Sequence, residues 1–92
     1  MIKGATSSGF EYEVNEKVLS DWTFVKAVAA SGSKDNTRQM EGYTKLVNLL
    51  LGDEAEERLC EHLRQEDGLV PVEKISGEVL EIMQAIGEEA KK

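Results

Sequence analysis

The run Tyr43 to Leu51, YTKLVNLLL, is the most continuously apolar stretch of the 92 residues, and it constrains the fold more than any other. At helical spacing Met40, Thr44, Val47 and Leu51 line one face; Tyr43 and Leu50 widen it, and Leu46 lies further round. Leu49 falls on the opposite side. A helix this apolar around its circumference belongs in the middle of a small bundle, with neighbours on more than one side. Asn36 or Thr37 can cap it and Gly52 can end it, which predicts a helix over 37–51. Gly42 inside it costs about 1 kcal/mol relative to Ala. Close approach of another backbone and a softer first turn both account for that glycine.

Upstream, Ile2 to Thr6 and Phe10 to Val14 flank Ser7-Ser8-Gly9. Phe10, Tyr12 and Val14 alternate with Glu11 and Glu13, a period-two pattern, and Gly9 supplies the turn. This predicts an antiparallel hairpin over 2–14. Two strands are marginal alone, so the Phe10/Tyr12/Val14 face must lie on helices. Asn15 can cap the next segment, with a second possible start at Ser20-Asp21, and Gly32 can close it, giving a helix over 16–31. Val18, Trp22, Val25 and Ala29 fall on its main stripe, with Trp22 as the core anchor. Phe24 sits off that stripe. Phe24 and Leu49 are therefore the candidate protein-interface residues.

Downstream, Asp53 can cap a helix over 54–66, with Glu54, Glu56 and Glu57 near its positive end. Ala55, Leu59, His62 and Leu63 share a face. Pro71 can start a short turn, after which Ser76 caps a helix over 77–89. Val79, Ile82, Met83 and Ile86 form its apolar stripe, and Glu78 and Glu81 are expected in water. The fold class is therefore mainly α with an N-terminal β-hairpin, a small α+β protein of about four helices. Residues 1–88 make one domain and 89–92 a frayed tail. The modest core of so short a chain leaves room for assembly with copies of itself or with a partner.

The net charge is −7, unevenly placed. Residues 1–45 carry six basic and six acidic residues; residues 46–92 carry five and twelve. Such a field repels nucleic-acid phosphate and anionic membrane surfaces, so neither is an expected partner. One cysteine, Cys60, excludes an internal disulfide and suits a reducing cytoplasm. No apolar run approaches the length of a membrane span, and MIKGATSSG lacks the apolar core of a signal peptide.

No motif names a chemistry. The Gly-Ser turn lacks the Lys-Ser/Thr of a phosphate loop. Cys60 and His62 point about 200° apart on a helix, which is wrong for sharing one ion, and no second Cys or His stands by. DGLVPVEKISGEV looks faintly like the exit half of a calcium loop, but Leu63 and Lys74 occupy the positions of its leading and bidentate acids. Neither a catalytic residue nor a cofactor or metal site is expected.

The order of these pieces resembles the tail assembly chaperones of long-tailed bacteriophages and prophages. The likeness runs through FEYEVNEKVLSDWTFVKAVA, LVNLLLGDEAEERLCEHL and EDGLVPVEKISGEVLEIMQAI. The Leu-rich helix stopped by Gly-Asp-Glu, and the Asp-Gly, Pro and Ser punctuation before the last helix, carry most of it. The resemblance implies a non-enzymatic role: coating the tape measure protein, keeping it soluble, and helping major tail protein subunits assemble around it. It places the protein in the host cell cytoplasm and outside the finished virion. The alternative is another small acidic binding module, such as an inhibitor, an antirepressor or a DNA mimic.

Overall fold

The computed structural model describes the backbone from residue 1 to 91 and side chains from residue 1 to 88. It is mainly helical, with an N-terminal two-stranded hairpin. Strands β1 (Ile2–Ala5) and β2 (Glu11–Val14) are followed by a short 3₁₀ turn (Glu16–Ser20). Four helices complete it: α1 (Trp22–Ser31), α2 (Asn36–Leu51), α3 (Asp53–Leu63) and α4 (Val72–Lys91). The expected frayed tail, 89–92, lies outside the residues whose side chains are described.

The hairpin pairs Ile2 with Val14 and Gly4 with Tyr12 in an antiparallel register. Gly9, at φ +89°, turns the chain, and the Thr6 amide donates to the Phe10 carbonyl at 2.9 Å. Gly4 is bare because the Tyr12 ring crosses it: a Cβ there would stand 2.6 Å from the Tyr12 hydroxyl oxygen. Phe10, Tyr12 and Val14 are buried, as the alternation predicts. Their floor is α2, α3 and α4, whose Leu46, Val47, Leu50, Leu51, Leu59, Val79, Ile82 and Ile86 fill the same core.

The expected helix over 16–31 is two pieces, and both suggested starts are used. The Asn15 carboxamide oxygen accepts from the Lys17 amide at 3.0 Å and begins the 3₁₀ turn. Asp21 is extended, and α1 starts after it. That break resets the helical phase. The stripe drawn through Val18, Trp22, Val25 and Ala29 is not continuous, and α1 turns a different face inward. Phe24 and Ala27 are buried, whereas Trp22 is 71% exposed.

In α2 the buried arc is centred on Leu46 and Leu50, flanked by Val47 and Leu51. Met40 and Thr44, expected in the core, are exposed: at this level α2 turns Gly42 inward against α1, and Met40 and Thr44 border an open groove. The cap is Asp35, one residue before the expected pair: its Oδ1 accepts from Thr37 N at 3.0 Å and Arg38 N at 3.3 Å. Gly42 is explained by close approach. A Cβ there would lie 2.6 Å from both Ala30 Cβ and Ser31 N, so α1 packs against bare backbone.

Gly52, at φ +86°, stops α2 and turns directly into α3. Asp53 is the first residue of α3 and not its cap. Its carboxylate is held by α2 instead, with Asn48 Nδ2 donating to Asp53 Oδ1 at 2.6 Å and to Glu56 Oε2 at 2.9 Å. The helix stops at Leu63, short of the expected 66, where a Gln65–Leu69 turn with Gly68 at φ +85° takes over. Helix α4 begins five residues earlier than expected. The Pro71 carbonyl accepts from Lys74 and Ile75, so the helix passes through Ser76 and Gly77. Ile75 then joins Val79, Ile82 and Ile86 on one uninterrupted stripe, which outweighs the cost of Gly77, about 1 kcal/mol.

Candidate protein-interaction surface

Three surface features stand out, two apolar and one polar. The first is the outer face of α1. Seven of its ten residues are apolar, WTFVKAVAAS, so no rotation of the helix can bury them all against one neighbour. Phe24, Ala27 and Ala30 take the inner side. Trp22, Val25 and Val28 are left facing water, the last two at 42% and 40% exposure. The two candidate interface residues named from the sequence lie elsewhere. Phe24 is 3% exposed and belongs to the core, and Leu49 is half-buried against its edge. Trp22 holds the exposed aromatic position that the unbroken stripe assigned to Phe24.

The second is a groove of about 170 Å³ between α2, α3 and the start of α4. Met40, Tyr43, Val47, Leu59, Val70 and Ile75 give it an apolar lining, and exposed Val72 lines its mouth. Cys60 is half-buried in its wall. A volume of this size accepts one or two apolar side chains, being close to the roughly 150 Å³ of an engineered cavity that binds benzene.

The third is a polar clasp between the hairpin turn and α4. Glu78 is buried at 5% exposure, against the expectation that it faces water. Its Oε1 accepts from Thr6 Oγ1 at 2.7 Å and from Ser8 Oγ at 2.6 Å. Three residues on, Glu81 accepts from the Ser7 amide at 2.9 Å and the Ser7 hydroxyl at 2.8 Å. A buried carboxylate is tolerable only when hydrogen-bonded, and the hydroxyl-rich turn supplies the donors. That run of three hydroxyls was the signal in the sequence: it matches two acids one helical turn apart on α4.

Ser8 also touches His62 Nε2 at 3.0 Å. A Ser, a His and a Glu thus meet, but in the wrong order for nucleophilic chemistry. In a hydrolytic triad the imidazole stands between hydroxyl and carboxylate. Here the hydroxyl stands between them, and its one proton is directed at Glu78, so His62 is the donor to Ser8. The ring of Phe10 is flanked by His62, at 5.7 Å and 50°, and by the Arg58 guanidinium, 5.3 Å from its centroid. The arrangement is suited to fastening the turn down. Cys60 and His62 occupy opposite sides of α3, one in the groove and one at the clasp. Among the described residues no three His, Cys, Asp or Glu side chains converge as a metal site, and no helix is long and apolar enough to cross a membrane.

Comparison with protein-family models, with curated proteins and with solved structures finds no match to this chain.

Proposed function

We propose that this chain is a non-enzymatic assembly chaperone of a long-tailed bacteriophage or prophage, binding the tape measure protein and helping recruit major tail protein subunits. The observation that carries the reading is the apolar face of α1 left in water on a chain of net charge −7. Exposed apolar surface on a small soluble protein marks a site for another protein. An acidic exterior keeps a coated complex dispersed through self-repulsion. The groove between α2, α3 and α4 adds a second place where an apolar side chain of a partner helix can insert. On this reading the protein acts in the host cytoplasm and leaves before the virion is finished.

The competing idea of a DNA mimic needs a free array of carboxylates. Asp53, Glu56, Glu61, Glu78 and Glu81 are each engaged by Asn48, Arg64 or the hairpin turn, which withdraws these five from such an array. The test is co-expression with the tape measure protein of the same tail gene cluster. The expected result is that the tape measure becomes soluble and co-purifies, while purified particles lack this chain by mass spectrometry. A tape measure protein equally insoluble with and without it would remove the proposal.

A further inference from the structure

We infer that the outer face of α1 docks a partner helix whose apolar stripe is bordered by carboxylates. The inference deepens the proposed function, and rests on it only in that the chain acts by binding a protein. A helix apolar on all sides is ordinarily covered on all sides, and α1 is covered on one. Trp22, Val25 and Ala29 stand at i, i+3 and i+7 on the open side, a ridge two turns long. Tryptophan is among the residues most enriched at binding hot spots, and here it protrudes.

The charge beside that ridge says what covers it. Ala29 belongs both to the ridge and to a shallow cleft between α1 and α2, whose floor is Ala29, Ala30 and Gly42. Lys26, Arg38 and Lys45 line the cleft against one acid, Glu41. Among the described residues none of the three cations makes an ion pair. They form a basic strip on a protein that is acidic overall. Gly42 faces Ala30 and Ser31, so Lys45, almost a turn further on, lies level with Lys26 and the Ala29 end of the ridge, and Arg38, about a turn back, lies past that end. A helix laid on the ridge and continued past Ala29 therefore sets one flank along the strip, where its Asp or Glu residues meet the cations. A second copy presenting this same face would bring cations and no row of acids. Phosphate of nucleic acid or lipid could meet the strip, but not the indole and valines beside it, and the whole-molecule charge repels both.

Trp22 is the only tryptophan, so its fluorescence reports on this face directly. The experiment titrates the full chain with two synthetic helical peptides of about 18 residues, long enough to span the ridge. Both carry the same Leu stripe; one has Glu along its flanks and the other Lys. The expected result is a blue shift of Trp22 emission with the Glu peptide, binding roughly tenfold tighter than the Lys peptide at low salt. The preference should narrow as ionic strength rises and the Debye length shortens. The double variant Lys26→Glu, Lys45→Glu should reverse it. Trp22→Ala, read by anisotropy of labelled peptide, should weaken binding about tenfold while the circular dichroism melt is unchanged.

Equal binding of the two peptides, or no emission change with either, would overturn the inference. So would a blue shift that grows with protein concentration alone, which would assign the face to a second copy. A shift produced by short duplex DNA or anionic vesicles, without one from the Glu peptide, would also defeat it. Each of these failures leaves the tape measure co-expression experiment to be decided separately.

Discussion

Gly42 shows how one missing methyl group sets the spacing of two helices. Alanine is the better helix former by about 1 kcal/mol, so an exposed Gly→Ala change would stabilise the protein. Here the new Cβ would meet Ala30 and the Ser31 amide at 2.6 Å, inside contact distance of backbone that cannot step aside. Gly42→Ala is expected to lower stability in denaturant melts by about 1–3 kcal/mol through overpacking. Glu78 makes the complementary case for a polar group. Glu78→Ala removes the acceptor shared by Thr6 and Ser8 and is expected to cost about 1–3 kcal/mol. A change within ±0.5 kcal/mol would mean that the hydroxyls find other partners. Glu16 offers a pH prediction. Its carboxyl is held below the ordinary range, first by a backbone hydrogen bond and then by the Met1 ammonium at 3.1 Å. A depressed folded-state value means stability that is present above the unfolded-state value and lost as pH falls through the folded one. An NMR titration should place the midpoint of Glu16 below the ordinary glutamate value of 4.5. N-terminal acetylation should raise that midpoint only partway, since the backbone bond remains.

Helix α1 is where reading the sequence and reading the structure part most clearly. Two substitutions two residues apart, about 3 Å along the helix, separate the faces. Phe24→Ala empties a core position and is expected to cost about 3–5 kcal/mol. Trp22→Ala is expected to stay within about 0.5 kcal/mol, because little of the indole is buried. If the costs were reversed, α1 would be rotated. The hairpin was legible because alternation has period two and Gly9 marks its turn. The α2 end was legible because Gly52 needs the left-handed region, whereas α3 stops at Leu63, three residues before the expected 66. The face of α1 was not, since a helix with apolar residues on every side has no phase to read, and the break at Asp21 shifts the frame without any Gly or Pro. The start of α4 was missed for a related reason. Ser76 is a good cap by type, but the apolar stripe continues through it from Ile75, and packing overrode local preference. Of the surface features, the acids of the clasp read as solvated because their partners lie some seventy residues away in the chain.

The clasp is also the feature that joins the molecule end to end. Thr6 and Glu78 are separated by 72 positions, and α4 completes a floor that α2 and α3 begin. Hydrogen exchange of a Ser7→Ala, Glu81→Gln variant should therefore quicken in the hairpin and in α4 together. The α1–α2 pair, held by Ala30 on Gly42, should keep its protection. Exchange that quickens in the hairpin alone would show that α4 is anchored without it. Charge acts at the same scale: the −7 falls in the half of the sequence after residue 45, against which the hairpin is packed.

That end-to-end joining has a consequence for how the protein is born. A ribosome delivers the hairpin first and the residues that cover it last. Phe10, Tyr12 and Val14 emerge with nothing to lie against, and the last part of their cover, α4, follows only after α2 and α3. A chain shortened ahead of Val72 should accordingly leave its opening strands unpaired, visible as the loss of their dispersed amide resonances.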